Sequence, residues 1–398
     1  MVAEGGGEPG GAEQAKQAAL RTLRREEAAL GSLSHRIHAH PELAFEEHRA
    51  ARWVAEGAEG AGFEVETGVA GLETAFRARA GRGELVIGIC AEYDALPGIG
   101  HACGHNVIAA AAVGAGLALA EVAADAGLGV VVLGTPGEEG GGGKVLMLER
   151  GAFDDVHAAM MVHPWPEDRL EGQCLAVSHF DVVFTGLEAH ASAAPWEGIN
   201  ALDAMTVAQV AIGLLRQQLP PGDQVHGIVV EGGTAANVVP ATVRGRWMCR
   251  SVTFEGLERL DARVRACFEA GATAAGAAVS FEELSPAYSH MESDPGLLAA
   301  YRTNAEALGR RFALDDAGAP RPTFSTDMAN VSLAVPTIHP LVGVDAGGAV
   351  NHQRAFAAAC AGASADRALH DGAIAMAWTA IDAATRPDLR TRLMARTR

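Results

Sequence analysis

Short apolar runs alternate with longer helical stretches between about residues 13 and 171. The runs at 85–90 and 130–133 have the length and composition of buried strands. The Ala-rich run at 107–120 is shorter than a membrane-spanning helix and is followed by Glu121, which favours a buried helix. This alternation predicts an α/β domain in which a mixed sheet is covered by helices.

The hydrophobic pattern changes between residues 172 and 286. It predicts, in order, a strand at 175–184, a helix at 200–218, strands at 225–230 and 242–249, a helix at 257–275 and a strand at 278–282. The order βαββαβ is that of a ferredoxin-like α+β domain. Such a domain could close over an active site as a lid or join two subunits.

Beyond residue 286 the pattern returns to that of the first domain, with strand and loop elements at 322–338 and a closing helix at 371–384. We therefore predict a metal-binding catalytic domain formed by 13–171 and 287–398, and an inserted lid and dimerisation domain at 172–286. The segment 1–12 is Gly-rich and acidic, and it lacks the basic and apolar regions of a signal peptide. We expect it to be a disordered tail.

The composition narrows the range of partners and compartments. The 398 residues include 31 basic and 49 acidic ones, and the net charge of -18 argues against nucleic acid and anionic membrane as partners. The six cysteines show no paired spacing that would indicate a disulfide framework. We therefore expect a protein of the reducing cytoplasm that binds neither nucleic acid nor membrane.

Cys103 and His105 stand two residues apart, directly before the predicted buried helix at 107–120. A helix N-terminus favours the thiolate form of cysteine, and only the thiolate binds metal. A single buried cysteine is usually a small apolar residue, but a histidine two positions away favours a metal site.

A pair of carboxylates and a further histidine follow other predicted strands. Glu138 and Glu139 come after the strand at 130–133 and a Thr-Pro-Gly turn, and His163 comes after an apolar run and before Pro164, where a strand is expected to stop. Strand ends commonly carry the active-site residues of α/β proteins. Mixed metal ligands beside a glutamate pair indicate a metallohydrolase, in which a metal-activated water meets a general base.

Several segments of the chain resemble the M20 metallopeptidases, most closely the branch of aminoacyl (β-alanyl-lysine-type) dipeptidases and p-aminobenzoyl-glutamate hydrolases. The resemblance covers nearly the whole chain after about residue 30. The segments that carry it are AEYDALPG at 91–98, HACGHN at 101–106, GEEGGGGK at 137–144, AHASAAPWEGINA at 189–201, ANVVP at 236–240, FSTD at 324–327 and PTIHP at 336–340.

The resemblance implies a site for two divalent metal ions, zinc or manganese foremost and cobalt as a further option. Cys103 would bridge the two ions. His105 and His163 would complete one coordination sphere, and Glu139 and His352 the other.

The resemblance also implies roles for residues that do not bind metal. Glu138 would be the general base that takes a proton from water and delivers it to the leaving amine, and Asp94 would orient a metal ligand. His190 would project from the smaller domain of one subunit toward the active site of its partner in a homodimer. Asn237 and Arg250 would bind the substrate carbonyl or a substrate carboxylate.

We therefore predict a binuclear metal-dependent amidohydrolase that cleaves a small N-acyl or aminoacyl amide, such as a dipeptide or an aryl amide. Two alternatives remain open. A hydrolytic deaminase would use the same chemistry to release ammonia from an aromatic amine, and a non-catalytic scaffold would keep the metals without turnover. Glu138 argues against the scaffold, because a structural metal site needs no carboxylate beyond its ligands.

Overall fold

The structure is a computed structural model that describes residues 9–312 and 322–395. Its helices are α1 (Pro9–His38), α2 (His48–Glu59), α3 (His105–Ala126), α4 (Gly143–Glu149), α5 (Ala201–Leu215), α6 (Phe254–Ala275), α7 (Pro295–Ala307), α8 (Met328–Ala334), α9 (Arg354–Ala359), α10 (Ala363–Thr385) and α11 (Pro387–Met394). Its strands are β1 (Glu64–Thr67), β2 (Phe76–Ala80), β3 (Leu85–Ala91), β4 (Leu128–Gly134), β5 (Ala158–Met160), β6 (His163–Trp165), β7 (Gln173–Cys174), β8 (Ala176–Thr185), β9 (Gln224–Glu231), β10 (Thr242–Ser251), β11 (Ala278–Glu283), β12 (Thr323–Phe324), β13 (Thr337–Ile338) and β14 (Leu341–Gly343).

The chain divides into two compact units. Unit 1 comprises the described residues of Met1–Gly172, Met291–Pro322 and Asn330–Arg398, and unit 2 comprises Gln173–His290 and Thr323–Ala329.

The sheet of unit 1 is mixed, with the strand order β1-β2-β4-β3-β5-β13. Strands β4, β3, β5 and β13 run parallel, whereas β2 is antiparallel to both β1 and β4. Every residue of β3 and β4 is buried, as expected for central strands that are covered on both faces. Because parallel strands end at the same edge of a sheet, the segments that follow them meet there.

Helix α3 connects β3 to β4 and is buried along most of its length. Its small side chains allow close approach, since a Cβ added at Gly116 would lie 2.5 Å from Val132 Cγ2. The helix ends at Gly127, which adopts a left-handed φ of 64°. By length and composition α3 could cross a membrane, but 78% of its most apolar stretch is buried inside the protein, as is usual for a core helix.

Unit 2 has an antiparallel sheet with the strand order β11-β8-β10-β9. Helices α5 and α6 supply the other half of its core, and α6 has Thr253 as its N-cap, whose side chain accepts a hydrogen bond from Gly256 N. The buried residues of α6 recur at helical spacing, and they include Leu257, Leu260, Val264, Phe268 and Ala272. The element order from β8 to β11 is βαββαβ. The predicted fold class, an α/β domain with a ferredoxin-like α+β insertion, is confirmed.

The structure corrects three details of the predicted organisation. Of the predicted tail at 1–12, residues 1–8 lie outside the described residues, and α1 already begins at Pro9, a residue suited to the first turn of a helix. The segment 323–329 belongs to unit 2 and not to the catalytic part, because β12 pairs in parallel with β7. The segment 322–338 contains a helix, α8, in addition to strands.

Replacing Gly116 by Ala should destabilise unit 1, whereas replacing Gly31 should not. Both glycines lie in helices, where Ala is favoured by about 1 kcal/mol. A Cβ at Gly31 meets nothing within 4 Å, but one at Gly116 would have to displace Val132, and overpacking a core costs roughly 1–3 kcal/mol. We expect Gly31→Ala to raise the free energy of unfolding in urea by about 1 kcal/mol and Gly116→Ala to lower it by about 1–2 kcal/mol. Equal stability of the two variants would show that α3 is not closely packed at this point.

Candidate active site

The predicted carboxylates Asp94, Glu138 and Glu139 lie, together with Glu92, at one edge of the unit 1 sheet. Glu92 and Asp94 follow β3, and Glu138 and Glu139 follow β4. Since β3 and β4 are parallel neighbours, both pairs emerge on the same side of the sheet. Local sequence thus places four acidic side chains close together.

The loop before α3 packs tightly against the segment that carries His163. Gly104 has a left-handed φ of 79°, and a Cβ added there would lie 2.7 Å from the ring of Pro164. His163 is the first residue of β6, which continues through Pro164 and pairs with β14. The strand predicted from the apolar run does end before Pro164, because β5 ends at Met160. Pro164 lies instead in the separate strand β6, where proline is tolerated in a short ladder at a sheet edge.

The predicted ligands form two groups that share Cys103. One donor atom each of Cys103, His105 and His163 lies within 4.8 Å of the others, and the same holds for Cys103, Glu139 and His352. His352 Nε2 is 3.0 Å from Cys103 Sγ and 3.8 Å from Glu139 Oε1. These are the two sets that the family resemblance implied, and their role as ligands stays a prediction.

Unsatisfied buried atoms support the fit to divalent cations. Among the described residues, His105 Nε2 and Glu139 Oε1 are buried without a hydrogen-bond partner, although buried polar atoms normally have one. Thiolate, imidazole and carboxylate together are a donor set that suits zinc, manganese or cobalt. The residues present therefore fit the pair of ions.

Asp94 fixes the orientation of two predicted ligands. The ring Nδ1 of His105 lies 2.9 Å from both the backbone oxygen and Oδ1 of Asp94, so this nitrogen is the donor and Nε2 faces the site. The backbone N–H of Glu139 donates to Asp94 Oδ2 at 2.8 Å. His163 Nδ1 lies 2.8 Å from the backbone oxygen of Pro164, which leaves its Nε2 for the site in the same way.

The buried acidic groups of this cluster would be stabilised in their ionised forms by a nearby positive charge. Burial, followed by the charges of Glu139 and Glu138, raises the pKa of the Cys103 thiol well above its ordinary value. Burial also raises the pKa of Glu139. Burial and the neighbouring His339 and His105 lower the pKa of His163, which is therefore neutral and able to bind metal. A cation would relieve the cost of ionising the thiol and the carboxyl group.

Glu138 lies beside the ligands but has a different position from Glu139. Its side chain is 9% exposed, and its Oε2 is 3.8 Å from His105 Nε2. A carboxylate so close to the ligand groups is within reach of a water bound there.

Sequence reasoning missed a fully buried ion pair between Lys144 and Glu92. The Lys144 Nζ contacts Glu92 Oε1, and both side chains are 0% exposed. The sequence carried a signal for Glu92, because it stands two residues before Asp94 at a strand end and therefore points to the same side. No local pattern indicated that Lys144, which follows a run of four glycines, would be its partner.

A second missed residue, Glu47, supports the turn that carries the glutamate pair. Glu47 Oε1 accepts a hydrogen bond of 2.8 Å from Gly137 N, and Oε2 accepts one of 2.9 Å from Thr74 Oγ1. Burial, followed by the charge of Asp94, raises the pKa of Glu47 to about 7. Glu47 thus holds the turn in place from the start of α2.

The remaining predicted residues lie in unit 2, and the structure brings two of them together. His190 is exposed, and its Nδ1 accepts bonds of 3.3 Å from the backbone N–H groups of Ser192 and Ala193. The backbone oxygen of Asn237 accepts a bond of 3.0 Å from Ala191 N, so Asn237 lies beside the His190 loop. Arg250, on β10, instead donates to Ser325 Oγ at 2.8 Å, and burial lowers its pKa.

Comparisons with known proteins agree with this arrangement. A sequence model of peptidase family M20/M25/M40 matches residues 88–367. The chain is 39% identical to an Xaa-Arg dipeptidase of Mus musculus over 98% of this chain and 94% of that protein. It is 37% identical to an Xaa-Arg dipeptidase of Homo sapiens over 90% of this chain and 86% of that protein. With one component of the p-aminobenzoyl-glutamate hydrolase of Escherichia coli (strain K12) it shares 34% identity over 60% of this chain and 54% of that one.

A solved structure extends the comparison to the fold. A dinuclear metal-binding peptidase of the M20 family from Bacillus subtilis has the same fold, with a TM-score of 0.68 at 22% identity. The match covers 90% of this chain and 98% of that one.

Replacing Glu47 by Gln should stabilise the metal-free protein increasingly as the pH rises. The pKa of Glu47 is raised from 4.5 to about 7, so the unfolded chain loses this proton at a lower pH than the folded protein does. The free energy of unfolding therefore falls as the pH rises from 4.5 to about 7, and this contribution is constant at higher pH. Gln keeps the neutral form. We expect the stability advantage of Glu47→Gln over the wild type to grow by about 2 kcal/mol between pH 5.5 and pH 8, measured by urea unfolding with chelator present. The control Glu46→Gln changes an exposed neighbour and should show no such growth; the same pH dependence in both variants would contradict the assignment.

Proposed function

Because the chain belongs to peptidase family M20/M25/M40, we propose that it is a binuclear metal-dependent amidohydrolase that cleaves a dipeptide or another small aminoacyl or N-acyl amide. The family and the relatives make it a hydrolase of C–N amide bonds. The observation that carries the binuclear proposal is the pair of ligand groups that share Cys103, with Glu138 beside them. We propose zinc or manganese as the native metal, with cobalt as a substitute.

The proposed reaction uses Glu138 as the general base. When bound, divalent ions supply Lewis acidity and lower the pKa of water. Glu138 takes a proton from the attacking water while the water oxygen forms a bond to the amide carbon, and it delivers that proton to the nitrogen as the C–N bond breaks. Its burial, with Oε2 only 3.8 Å from His105 Nε2, supports this role.

His190 is proposed to stabilise the negative oxygen of the tetrahedral intermediate. Backbone N–H groups donate to its Nδ1, so Nε2 is the ring nitrogen that carries a proton and can donate it in a hydrogen bond. The ring is exposed, which suits a residue that acts on the substrate of a partner subunit.

A dipeptide with a basic C-terminal residue is the proposed substrate class. The mouse relative, aligned over 98% of this chain, is named for Xaa-Arg dipeptides. The net charge of -18 favours the approach of a cationic substrate over that of an anionic one such as an N-acyl glutamate. Arg250 is proposed to bind the carboxylate that every dipeptide carries, because arginine pairs with carboxylates in a bidentate geometry.

The function is tested by product release from metal-stripped protein refilled with zinc, manganese or cobalt. The panel contains Xaa-Arg and Xaa-Lys dipeptides, p-aminobenzoyl-glutamate, N-acyl amino acids and aromatic amines. We expect metal-dependent release of a free amino acid, fastest for the basic dipeptides. Ammonia as the sole nitrogen product would identify a deaminase, and tight metal binding without turnover of any substrate would favour a scaffold.

Glu138→Gln should abolish turnover while leaving metal binding intact. Gln keeps the shape of the side chain but cannot accept the proton, and loss of general-base catalysis costs roughly 100-fold to 10,000-fold in kcat. The measurements are steady-state kinetics and metal content by mass spectrometry. Glu139→Gln is the matched comparison, because it should lose metal as well as activity. Wild-type kcat in Glu138→Gln would remove Glu138 as the base.

A homodimer formed through unit 2 is the second part of the proposal. Val207, Val210 and Leu214 recur at helical spacing on α5 and are exposed, Leu214 by 72%. Strand β9 lies at the edge of its sheet and exposes Ile228 by 63%. An edge strand with unpaired backbone groups and an apolar helix face suit a second copy of the chain.

Introducing charge on α5 should separate the subunits. We expect the wild type to sediment as a dimer. The double variant Val210→Glu with Leu214→Glu should be a folded monomer with little activity. The control Leu284→Glu, which alters another exposed residue of unit 2, should remain a dimer.

Co-expression of His190→Ala with Glu138→Gln tests whether the subunits share a site. It should restore about a quarter of wild-type activity, because half of randomly mixed dimers contain one complete shared site. A fully active monomer, or no restoration, would contradict the shared site.

A further inference from the structure

The buried ion pair Lys144–Glu92 lies in unit 1, and the proposed mechanism gives it no role. Lys144 lies in the first turn of α4, and Glu92 follows β3 directly. Both side chains are 0% exposed. Removing two charges from water carries a large desolvation penalty, so the burial of this ion pair affects the free energy of folding.

Glu92 stands at ligand spacing from an atom that faces the predicted metal site. Its Oε2 is 3.5 Å from His105 Nε2, closer than the 3.8 Å of Glu138 Oε2. Two ligands of one tetrahedral zinc ion lie about 3.3 Å apart, given bonds of about 2.0 Å. By distance alone, Glu92 qualifies as a further ligand beside His105.

A further protein ligand would oppose catalysis at such a site. Catalytic metal sites keep a position open for water or substrate, whereas structural sites are closed by protein side chains. The carboxylate of Glu92 therefore has to be held by a different cation, and Lys144 contacts its other oxygen, Oε1.

We propose that Lys144 is a positioning residue that retains the Glu92 carboxylate as its ion-pair partner and so prevents Glu92 from becoming an additional metal ligand beside His105. This inference rests on the proposed binuclear site. The charge of Lys144 is essential to the role, since an uncharged side chain of the same length would leave a buried carboxylate without that partner. A metal held by His105 would then be a replacement cation, since His105 Nε2 lies 3.5 Å from Glu92 Oε2.

Cobalt-substituted variants test the proposal without relying on turnover. Lys144→Met removes the charge at similar length, Glu92→Gln removes the potential ligand, and the double variant removes both. The readouts are the metal dissociation constant by competition with a chelator and the visible absorption of bound cobalt, which weakens as its coordination number rises. The kcat of the zinc forms is measured alongside.

Lys144→Met should bind cobalt more tightly than the wild type, by about tenfold for a gain of about 1.4 kcal/mol from the added carboxylate ligand. It should also absorb more weakly in the visible range and have a lower kcat. The double variant should return both the dissociation constant and the spectrum to wild-type values, because no free carboxylate remains. Glu92→Gln alone should have the wild-type spectrum, since Glu92 is not a ligand in the intact protein.

The proposal is overturned if Lys144→Met has the spectrum and affinity of the wild type, or if the double variant does not reverse the change. It is also overturned if Glu92→Gln alone alters the cobalt spectrum. This test remains available even if Lys144→Met fails to fold. Absence of cobalt binding by the wild type would instead refute the proposed binuclear function.

Discussion

Repulsion between buried acidic groups is the constraint around which unit 1 is organised. The ends of β3 and β4 bring Glu92, Asp94, Glu138 and Glu139 to one edge of the sheet, and Cys103 lies among them. In a buried site such charges cannot be screened by water, so each needs a cation or a donor. Asp94 has His105 and Glu92 has Lys144, and Cys103 and Glu139 lie in the groups proposed to bind metal. Metal binding and the stability of this unit are therefore linked, because cations that bind only the native state stabilise it.

Most elements lie where the hydrophobic pattern predicts them, because the pattern records burial directly. The strand predicted at 175–184 is β8, Ala176–Thr185, and the helix predicted at 257–275 is α6, Phe254–Ala275. The helix starts three residues early because Thr253 caps it, and a cap is a polar residue that the apolar period does not detect. The residues that the structure groups around Cys103 were also named in advance, since their side-chain chemistry is evident from the sequence and the family motifs contain them; their role as metal ligands stays a prediction.

Residues whose role depends on contacts between distant segments escaped prediction. Glu47 precedes Gly137 by 90 positions, and only the folded chain shows that it supports the glutamate turn. Lys144 carries no sign of its burial, because a lysine after a run of glycines is normally exposed. The two-residue strand β12 is too short to show a hydrophobic period. Its pairing with β7, which places 323–329 in unit 2, could therefore not be predicted from the sequence.

The separation of the ligand groups along the chain has a consequence for biosynthesis. His352 follows Cys103 by 249 residues, and β13 completes the unit 1 sheet against β5 only after all of β7 to β11 has been made. On the ribosome, unit 2 can therefore fold from a nearly continuous segment while unit 1 still has an unfinished sheet edge at β5. The second group of candidate ligands cannot form until the segment with His352 has emerged. At the proposed site, loading of both metals would thus be a late event, and a truncated product would hold the first group of candidate ligands without the second.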